Sequence, residues 1–271
     1  MENPFKLDMT KDMNEDKISV VINTYNASKF LSRVLDSVKD FDEVVICDME
    51  STDGTVEIAK QYGCKIVTFP KGDCVSAEPA RTFAIQSASY KWVLVIDADE
   101  LVTPELKDYL YELISHEDAP RGLYIPRKNY FMGRFMHCFY PDYLLRFFIK
   151  EGTIWPPYVH TFPMVNGRKD KIPANRKDLA FIHLANDDIR CRIDKTNQYT
   201  ESEIEKKKDK NYGMIALFYR PFFRFFKAYI LKGGIRDGKA GFICACFEGI
   251  YQFVAVSKIL EKRFSRCMNI T

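Results

Sequence analysis

The chain has 271 residues, of which 46% are hydrophobic and 28% charged, so it is long enough to fold around a sizeable core. Its 13 glycines and 12 prolines exclude a collagen-like or mostly disordered chain. The eight cysteines include no Cys-x-x-Cys pair, which argues against a disulfide framework or a zinc ribbon and favours reduced, buried thiols. Because residues 1–17 carry no apolar segment, we predict no signal peptide and a cytoplasmic location.

The net charge of +3 conceals a strong asymmetry along the chain. Residues 1–120 have a balance of −11, and residues 121–271 have a balance of +14. An acidic half followed by a basic, aromatic half indicates two tasks, one directed at a cation or substrate and one at an anionic partner.

Over the first hundred residues, predicted strands alternate with predicted helices. Helices follow the strands at Ser28–Val38, Val56–Tyr62, Ala77–Ala88 and after Thr103-Pro104. The alternation predicts an α/β fold with a mixed, mostly parallel sheet and helices on both faces, in which ligands bind beyond the carboxyl ends of the strands. The four predicted strands are Ile18–Ile22, Val44–Cys47, Lys65–Phe69 and Trp92–Ile96.

The remainder of the chain has a different pattern. Short runs at Gly122–Pro126 and Leu144–Ile149 predict an irregular antiparallel addition, and a charged helix is expected over Ile189–Lys208. The predicted organisation is therefore an N-terminal tail over 1–16, an α/β domain over 17–185 and a C-terminal helical region over 186–271.

An acidic turn, Asp97-Ala98-Asp99-Glu100, directly follows the last of the four strands. Carboxylates without histidine or cysteine suit Mg²⁺ or Mn²⁺, with a diphosphate supplying the other oxygens. A solvated turn that precedes the next helix is the alternative interpretation.

A second polar turn, Asp48 to Thr55, follows the second strand. A carboxylate directly after a buried strand requires a partner, and Asp48 is placed to accept a hydrogen bond from a nucleobase. For Ser51, Thr52 and Asp53 the alternative is N-capping of the helix that follows.

Four ordered segments resemble family 2 glycosyltransferases, which have the GT-A fold. Further positions (Pro141–Phe148, His160, His183 and Arg220–Phe222) are similar to the subgroup that adds glucose to lipopolysaccharide cores. The resemblance implies that residues 17–185 form a GT-A catalytic domain. The four segments are Val20–Asn26, Asp48–Thr55, Glu78–Ala84 and Asp97–Glu100.

This resemblance implies roles for five donor-site residues. The Thr24–Tyr25 turn and Asp48 would hold the uracil of a nucleotide sugar, and Asp53 would fix that loop. Arg81 would reach the diphosphate or the acidic turn, a task suited to its planar guanidinium. Pairing of Arg81 with the acidic turn for structural reasons alone is the alternative.

The resemblance also implies a metal site and a catalytic base. Asp99 would bind Mg²⁺ or Mn²⁺ directly, and Asp97 would support the ribose or the metal. Asp142 would deprotonate the acceptor hydroxyl, unless it is only a turn residue after Pro141. The chain departs from the subgroup at His160-Thr161, where His-Glu is common. A metal site that uses His137, His160, His183 and Cys138 is disfavoured by their separation, which indicates ordinary polar packing.

The C-terminal region is basic and aromatic. Arg220, Arg224 and Lys227 share one helical face, and aromatic residues occupy most of the rest, as in helices that lie in an anionic membrane interface. A core helix is the alternative. Gly233-Gly234 and Gly238 are expected to break the helix, and Ala240–Val256, which contains Glu248, is shorter than the roughly 20 residues of a membrane span. The sequence shows neither a strand platform of base-stacking aromatic residues nor a groove-reading helix, so we predict no nucleic-acid partner.

These features predict an inverting, metal-assisted glycosyltransferase, peripheral on the inner face of the cytoplasmic membrane, with a nucleotide-sugar donor and a lipid-linked or lipopolysaccharide-core glycan as acceptor. UDP-glucose is the expected donor. Three alternatives remain open: transfer to polyprenyl phosphate, a catalytically silent nucleotide-sugar-binding module, and a nucleotidyltransferase. The last would need a glycine-rich phosphate loop that the N-terminal region lacks.

Overall fold

The computed structural model describes residues 16–74, 76–157, 161–184, 189–207 and 212–268. Its strands are β1 (Ile18–Thr24), β2 (Glu43–Asp48), β3 (Lys65–Thr68), β4 (Trp92–Asp97), β5 (Glu100–Leu101), β6 (Gly122–Lys128), β7 (Tyr130–Phe131), β8 (Arg134–Phe135), β9 (Asp142–Ile149), β10 (Lys169–Lys171) and β11 (Phe181–His183). Its α-helices are α1 (Ser28–Val38), α2 (Thr55–Gln61), α3 (Glu78–Gln86), α4 (Pro104–Ser115), α5 (Ile189–Lys207), α6 (Ala216–Phe226) and α7 (Gly238–Met268).

The strands form one large mixed sheet in the order β3-β2-β1-β4-β9-β6-β11-β5, with β10 paired to β6. The strands β3, β2, β1 and β4 are parallel neighbours, as their near-continuous apolar sequences predict. All seven residues of β1 are buried, because both faces of the sheet are covered.

Helices cover both faces of this sheet, which confirms the predicted architecture. On one face, α1, α2 and α4 pack their apolar side chains against the even-numbered positions of β1. On the other face, the small residues Ala80 and Ala84 of α3 pack on Val21, Val45 and neighbouring strand residues. Small side chains spaced one turn apart allow a helix to lie close to the sheet.

The segments predicted as an irregular antiparallel addition extend the central sheet. Strand β9 pairs antiparallel with β4, with Leu94 opposite Phe147, and it pairs with β6 on its other side. Phe147 and Phe148 are fully buried, so this strand contributes to both cores. The predicted antiparallel pairing is correct, and it makes the sheet mixed, as expected.

The chain divides into two compact units, residues 1–127 with 142–184, and residues 128–141 with 185–271. In the second unit, the buried carboxylate of Asp237 accepts hydrogen bonds from the backbone N–H groups of His137 and Cys138 and lies 2.6 Å from Nδ1 of His137. His137 thus has the polar packing predicted for it. Seven of the eight cysteines have side chains that the structure describes, and all seven are free thiols, three of them buried.

The C-terminal helices begin with α6, which continues as a π-helical turn over Lys227–Leu231. Gly233 and Gly238 have positive φ angles of 75° and 59°, a backbone conformation that favours glycine, and the predicted break of the helix occurs there. Helix α7 then runs for 31 residues, well beyond the predicted Ala240–Val256. By length and composition alone it is sufficient to cross a membrane, and a third of its apolar window is buried within the protein.

Candidate active site

Three neighbouring strands end in polar residues at one edge of the first unit. In the parallel register, Thr24 of β1 lies opposite Asp48 of β2, and Asn23 lies opposite Asp97 of β4. The carboxyl ends of parallel strands are where α/β proteins bind ligands, because the loops that follow diverge there. The two predicted acidic turns are therefore brought to the same edge.

The carboxylate of Asp48 is almost completely buried and is fully engaged with the loop around it. Its Oδ1 accepts hydrogen bonds from the hydroxyls of Thr24 (2.9 Å) and Ser51 (2.6 Å), and its Oδ2 accepts one from the Ser51 N–H (2.9 Å). These bonds offset the cost of burying the charge. Asp48 thus organises the end of β2, and a contact with a nucleobase stays a prediction.

Asp53 joins the loop after β1 to the loop after β2. Its carboxylate accepts hydrogen bonds from the Ser28 N–H at 3.1 Å and from the hydroxyl of Thr55 at 2.5 Å. The Thr55 hydroxyl bond is the largest contribution that lowers the pKa of Asp53, to about 2. Helix α2 begins at Thr55 with Gly54 as its N-cap residue, and the Thr55 N–H donates to Oδ1 of Asp53 at 3.0 Å, so Asp53 also pairs a donor at the helix start, as the capping alternative expects. Ser51 and Thr52 instead bond to Asp48 and to Asn26, so capping does not hold for these two.

Tyr25 is the exposed aromatic residue of the loop after β1, with 49% of its surface accessible. The Nζ of Lys71 lies 4.9 Å from the centre of its ring. A half-exposed aromatic ring beside a cation at the carboxyl edge of a sheet offers a flat surface on which a base can stack.

Asp97 lies between two buried arginines. Its Oδ1 accepts a hydrogen bond from Arg81 at 2.7 Å, and its Oδ2 accepts one from Arg146 at 2.8 Å. Burial opposes ionisation, but the charges of Arg146 and Arg81 outweigh it and hold the pKa of Asp97 far below its usual range. Both guanidinium groups also face the ring of Trp155, at 4.5 Å and 5.3 Å from its centre.

Several buried polar atoms around Asp97 have no hydrogen-bond partner among the described residues. They are both side-chain amide atoms of Asn23, Nε and Nη1 of Arg81, Nη1 of Arg146 and Nε1 of Trp155. Buried polar groups are rarely left unpaired, so each one requires a water or a ligand. Most of these atoms are donors, and they suit a ligand rich in oxygen acceptors.

Asp99 lies beside His183, a residue that the sequence places far away. The Nε2 of His183 is 3.3 Å from the Asp99 carboxylate, and both side chains are partly accessible, at 22% and 31%. The pairing of β11 with β5, in which His183 is opposite Glu100, produces this approach. Within the described residues, no group of three histidine, cysteine or carboxylate side chains forms a complete metal site. Asp99 offers a carboxylate, which both Mg²⁺ and Mn²⁺ accept, whereas the His183 imidazole suits the transition metal Mn²⁺ better than Mg²⁺, so the two candidates differ here from a site built of carboxylates alone.

Arg127 connects Glu100 to Asp142. It donates one hydrogen bond to the fully buried Glu100 at 2.8 Å, and its Nε and Nη2 donate to Oδ2 of Asp142 at 2.9 Å and 2.8 Å. The opposite charges raise the pKa of Arg127 despite its burial. A third of the Asp142 side chain is accessible, which leaves this carboxylate reachable from solvent.

Sequence reasoning missed three residues of this site, Arg127, Arg146 and Trp155, and it also missed the approach of His183 to Asp99. Arg146 lies within the Pro141–Phe148 segment that was singled out, and it alternates with buried apolar residues of β9. An arginine inside such a strand is the signal that could have identified it, since buried arginines are almost always paired. His160, the other histidine of interest, lies outside the described residues.

Comparison with known proteins identifies relatives of this chain. Residues 19–165 match the family model Glycosyl transferase family 2. An uncharacterised glycosyltransferase of Rickettsia conorii is 30% identical over 265 residues, covering 93% of both chains. The lipopolysaccharide core biosynthesis glycosyltransferase LpsC of Rhizobium meliloti is 26% identical and covers 90% of this chain and 92% of its own.

Among solved structures, a mannosyltransferase of Pyrobaculum calidifontis, in complex with GDP-Man and Mn²⁺, superposes with a TM-score of 0.53. It is 14% identical, and the match covers 90% of this chain and 87% of that one, which shows a shared fold. The family model spans more than half of the chain and includes both acidic turns and Asp142. The chain belongs to glycosyl transferase family 2.

Proposed function

We propose that the chain transfers a sugar, glucose from UDP-glucose, to a lipid-linked or lipopolysaccharide-core glycan with inversion, assisted by Mg²⁺ or Mn²⁺. The observation that carries the proposal is the group of unpartnered buried donors around Asp97, next to the Asp99–His183 pair. Unpaired guanidinium and indole donors suit a diphosphate, and a carboxylate with an imidazole suits a divalent metal.

The nucleoside would bind between the two loops that Asp48 and Asp53 hold together. Tyr25 offers a stacking surface for uracil, and Thr24 and Asp48 form the floor beneath it. Because the two loops are already joined by hydrogen bonds, little conformational freedom is lost when the base binds. Arg81 would contact the diphosphate with the atoms that it does not use for Asp97.

The metal would be held by Asp99 together with His183. When bound, the ion neutralises the charge that develops on the leaving nucleoside diphosphate. Asp97, predicted as a ribose or metal ligand, has a hydrogen bond from an arginine on each oxygen. The support from the structure is therefore stronger for Asp99 as the ligand and for Asp97 as the group that positions Arg81 and Arg146.

Asp142 would act as the base that removes the proton from the acceptor hydroxyl. Its accessible carboxylate is oriented by Arg127, which is in turn anchored on Glu100. An oriented carboxylate reachable from solvent is what general-base catalysis requires, with a contribution of about 10²–10⁴ in rate. The acceptor class rests on the relationship to the Rhizobium lipopolysaccharide core enzyme.

A thermal-shift screen of nucleotide sugars with and without Mn²⁺, followed by donor hydrolysis, tests the proposal. We expect UDP-glucose with Mn²⁺ to raise the melting temperature by mass action, and we expect slow release of UDP in the absence of acceptor. Asp118→Asn, at a carboxylate that is 93% accessible, serves as the control variant.

The outcome of this screen separates the alternatives. Donor binding without any hydrolysis or transfer would favour a silent binding module. Turnover with polyprenyl phosphate in place of a glycan acceptor would favour the polyprenyl-phosphate enzyme. If no nucleotide sugar changed the melting temperature with or without Mn²⁺, the proposed donor site would be wrong.

A further inference from the structure

Helix α6 exposes a continuous apolar stripe. Its members recur every three or four residues and are between 41% and 77% accessible. They are Ile215, Phe218, Tyr219, Phe222, Phe223, Phe226 and, in the following turn, Ile230. Soluble proteins rarely expose an unbroken surface of this kind, so the stripe indicates a binding surface.

The charged residues of α6 lie on its other side, against α7. Arg220 donates a hydrogen bond to Gln252 at 2.8 Å, and Nε of Arg224 donates to Glu248 at 3.1 Å. The predicted basic stripe toward lipid headgroups is therefore wrong for these two arginines. The helix is amphipathic in the reverse sense of an ordinary surface helix, with its polar face turned toward the protein.

Helix α7 repeats this arrangement. Phe242, Ile250 and Phe253 of this helix are about half accessible to solvent. By length and composition the helix is also apolar enough to cross a membrane. The two helices approach closely, since a Cβ on Gly249 would lie 3.1 Å from the Pro221 carbonyl oxygen. Polar groups paired between tightly packed helices, with apolar groups outside, are the arrangement that a lipid environment favours.

The charge around these helices fits an anionic partner. Residues 212–268 contain ten basic and three acidic residues. Two of the three acids, Asp237 and Glu248, are bound within the protein by His137 and Arg224. Lys232 and Arg236 are exposed in the turn between the helices, beside the exposed Leu231 and Ile235, and Lys239 is exposed at the start of α7.

We propose that the α6–α7 pair docks on an anionic phospholipid bilayer, with its aromatic stripe in the acyl region and the cations of the connecting turn at the headgroups. Attachment is mainly apolar, and charge adds to it. The proposal is independent of the donor, the metal and the base, because it uses only residues of the second unit.

Flotation of the full chain with vesicles tests it, using phosphatidylcholine alone and phosphatidylcholine with 30% phosphatidylglycerol. The variant Phe218→Ser/Phe222→Ser removes two rings that are 73% and 71% accessible, so folding is preserved. We expect its affinity for the anionic vesicles to fall by about a hundredfold, about tenfold for each ring withdrawn from the bilayer. The matched control Phe162→Ser/Met164→Ser removes two apolar side chains of similar accessibility, 55% and 57%, from the first unit and should bind like the parent.

Salt and self-association separate the competing explanations. The parent should bind the anionic vesicles more tightly than the neutral ones, and 0.5 M NaCl should weaken this binding without abolishing it. Equal binding by the parent and the phenylalanine variant would overturn the proposal. Absence of vesicle binding, with a concentration-dependent dimer that the same variant dissolves in sedimentation equilibrium, would assign the stripe to a second copy of the chain. Hydrolysis of the donor in detergent would be unaffected by either result, so failure here is distinguishable from failure of the proposed transferase.

Discussion

Arg146 holds one carboxylate oxygen of Asp97, the first residue of the acidic turn, and Arg81 holds the other. Arg146 is 6% accessible and donates to Asp97 at 2.8 Å. At an effective dielectric constant near 20, two unit charges about 4 Å apart attract by about 4 kcal/mol. Because 29% of the Asp97 side chain is accessible and Arg81 shares the carboxylate, we expect about half of this, roughly 2 kcal/mol, as the coupling energy.

A double-mutant cycle with Arg146→Met and Asp97→Asn measures this coupling from urea unfolding at pH 7. The exposed pair Arg168–Asp118 at 2.9 Å, taken through the same cycle, should give less than about 0.5 kcal/mol. Since the folded pKa of Asp97 is lowered, its stabilisation is present above the unfolded value near 3.9 and is lost as the pH falls below it. A coupling at Arg146–Asp97 no larger than that of the exposed pair would refute the reasoning.

Three further changes probe the site. Asp142→Asn should leave UDP-glucose binding intact and lower turnover by about 10²–10⁴, measured by initial rates; near-normal turnover would move the base elsewhere, with Glu151 the next acid along the chain. In the parent, the pKa of Asp53 is lowered to about 2, so the stabilisation by this carboxylate is lost as the pH falls from 4 to 2. The melting temperature of Asp53→Asn should therefore fall less over this pH range than that of the parent. Asp48→Asn places an amide where the hydroxyls of Thr24 and Ser51 donate hydrogen bonds, so the affinity for UDP should fall about tenfold in calorimetry. An unchanged affinity would exclude Asp48 from the uracil site.

The strand ends were predictable because apolar runs define the strands and polar residues follow immediately. Asp48 and Asp97 are the last residues of β2 and β4, and parallel pairing through β1 then fixes them at one edge. The partners of these carboxylates were harder to predict from the sequence. Arg146 is 49 positions from Asp97, and periodicity carries no information about which buried cation meets which acid.

The orientation of the C-terminal helices was the other feature that the pattern could not determine. A helical wheel separates Arg220 and Arg224 from the aromatic residues, but it does not say which side faces the protein. That choice depends on Glu248 and Gln252 of α7, which pair with the arginines and turn the aromatic stripe outward. Because they are charged, the arginines are predicted to lie at the surface. In the structure they face α7, because Gln252 and Glu248 are there to pair with them.

Calorimetric titration of the full chain with UDP, with and without Mn²⁺, tests the central claim most directly. The parent should bind UDP at least tenfold more tightly with Mn²⁺, and Asp99→Asn and His183→Ala should each remove that enhancement while keeping the metal-free affinity. The control Asp118→Asn should behave like the parent. An enhancement by Mn²⁺ that survives in Asp99→Asn, or UDP binding that ignores Mn²⁺ in the parent, would contradict a metal-assisted glycosyltransferase site at this edge of the sheet.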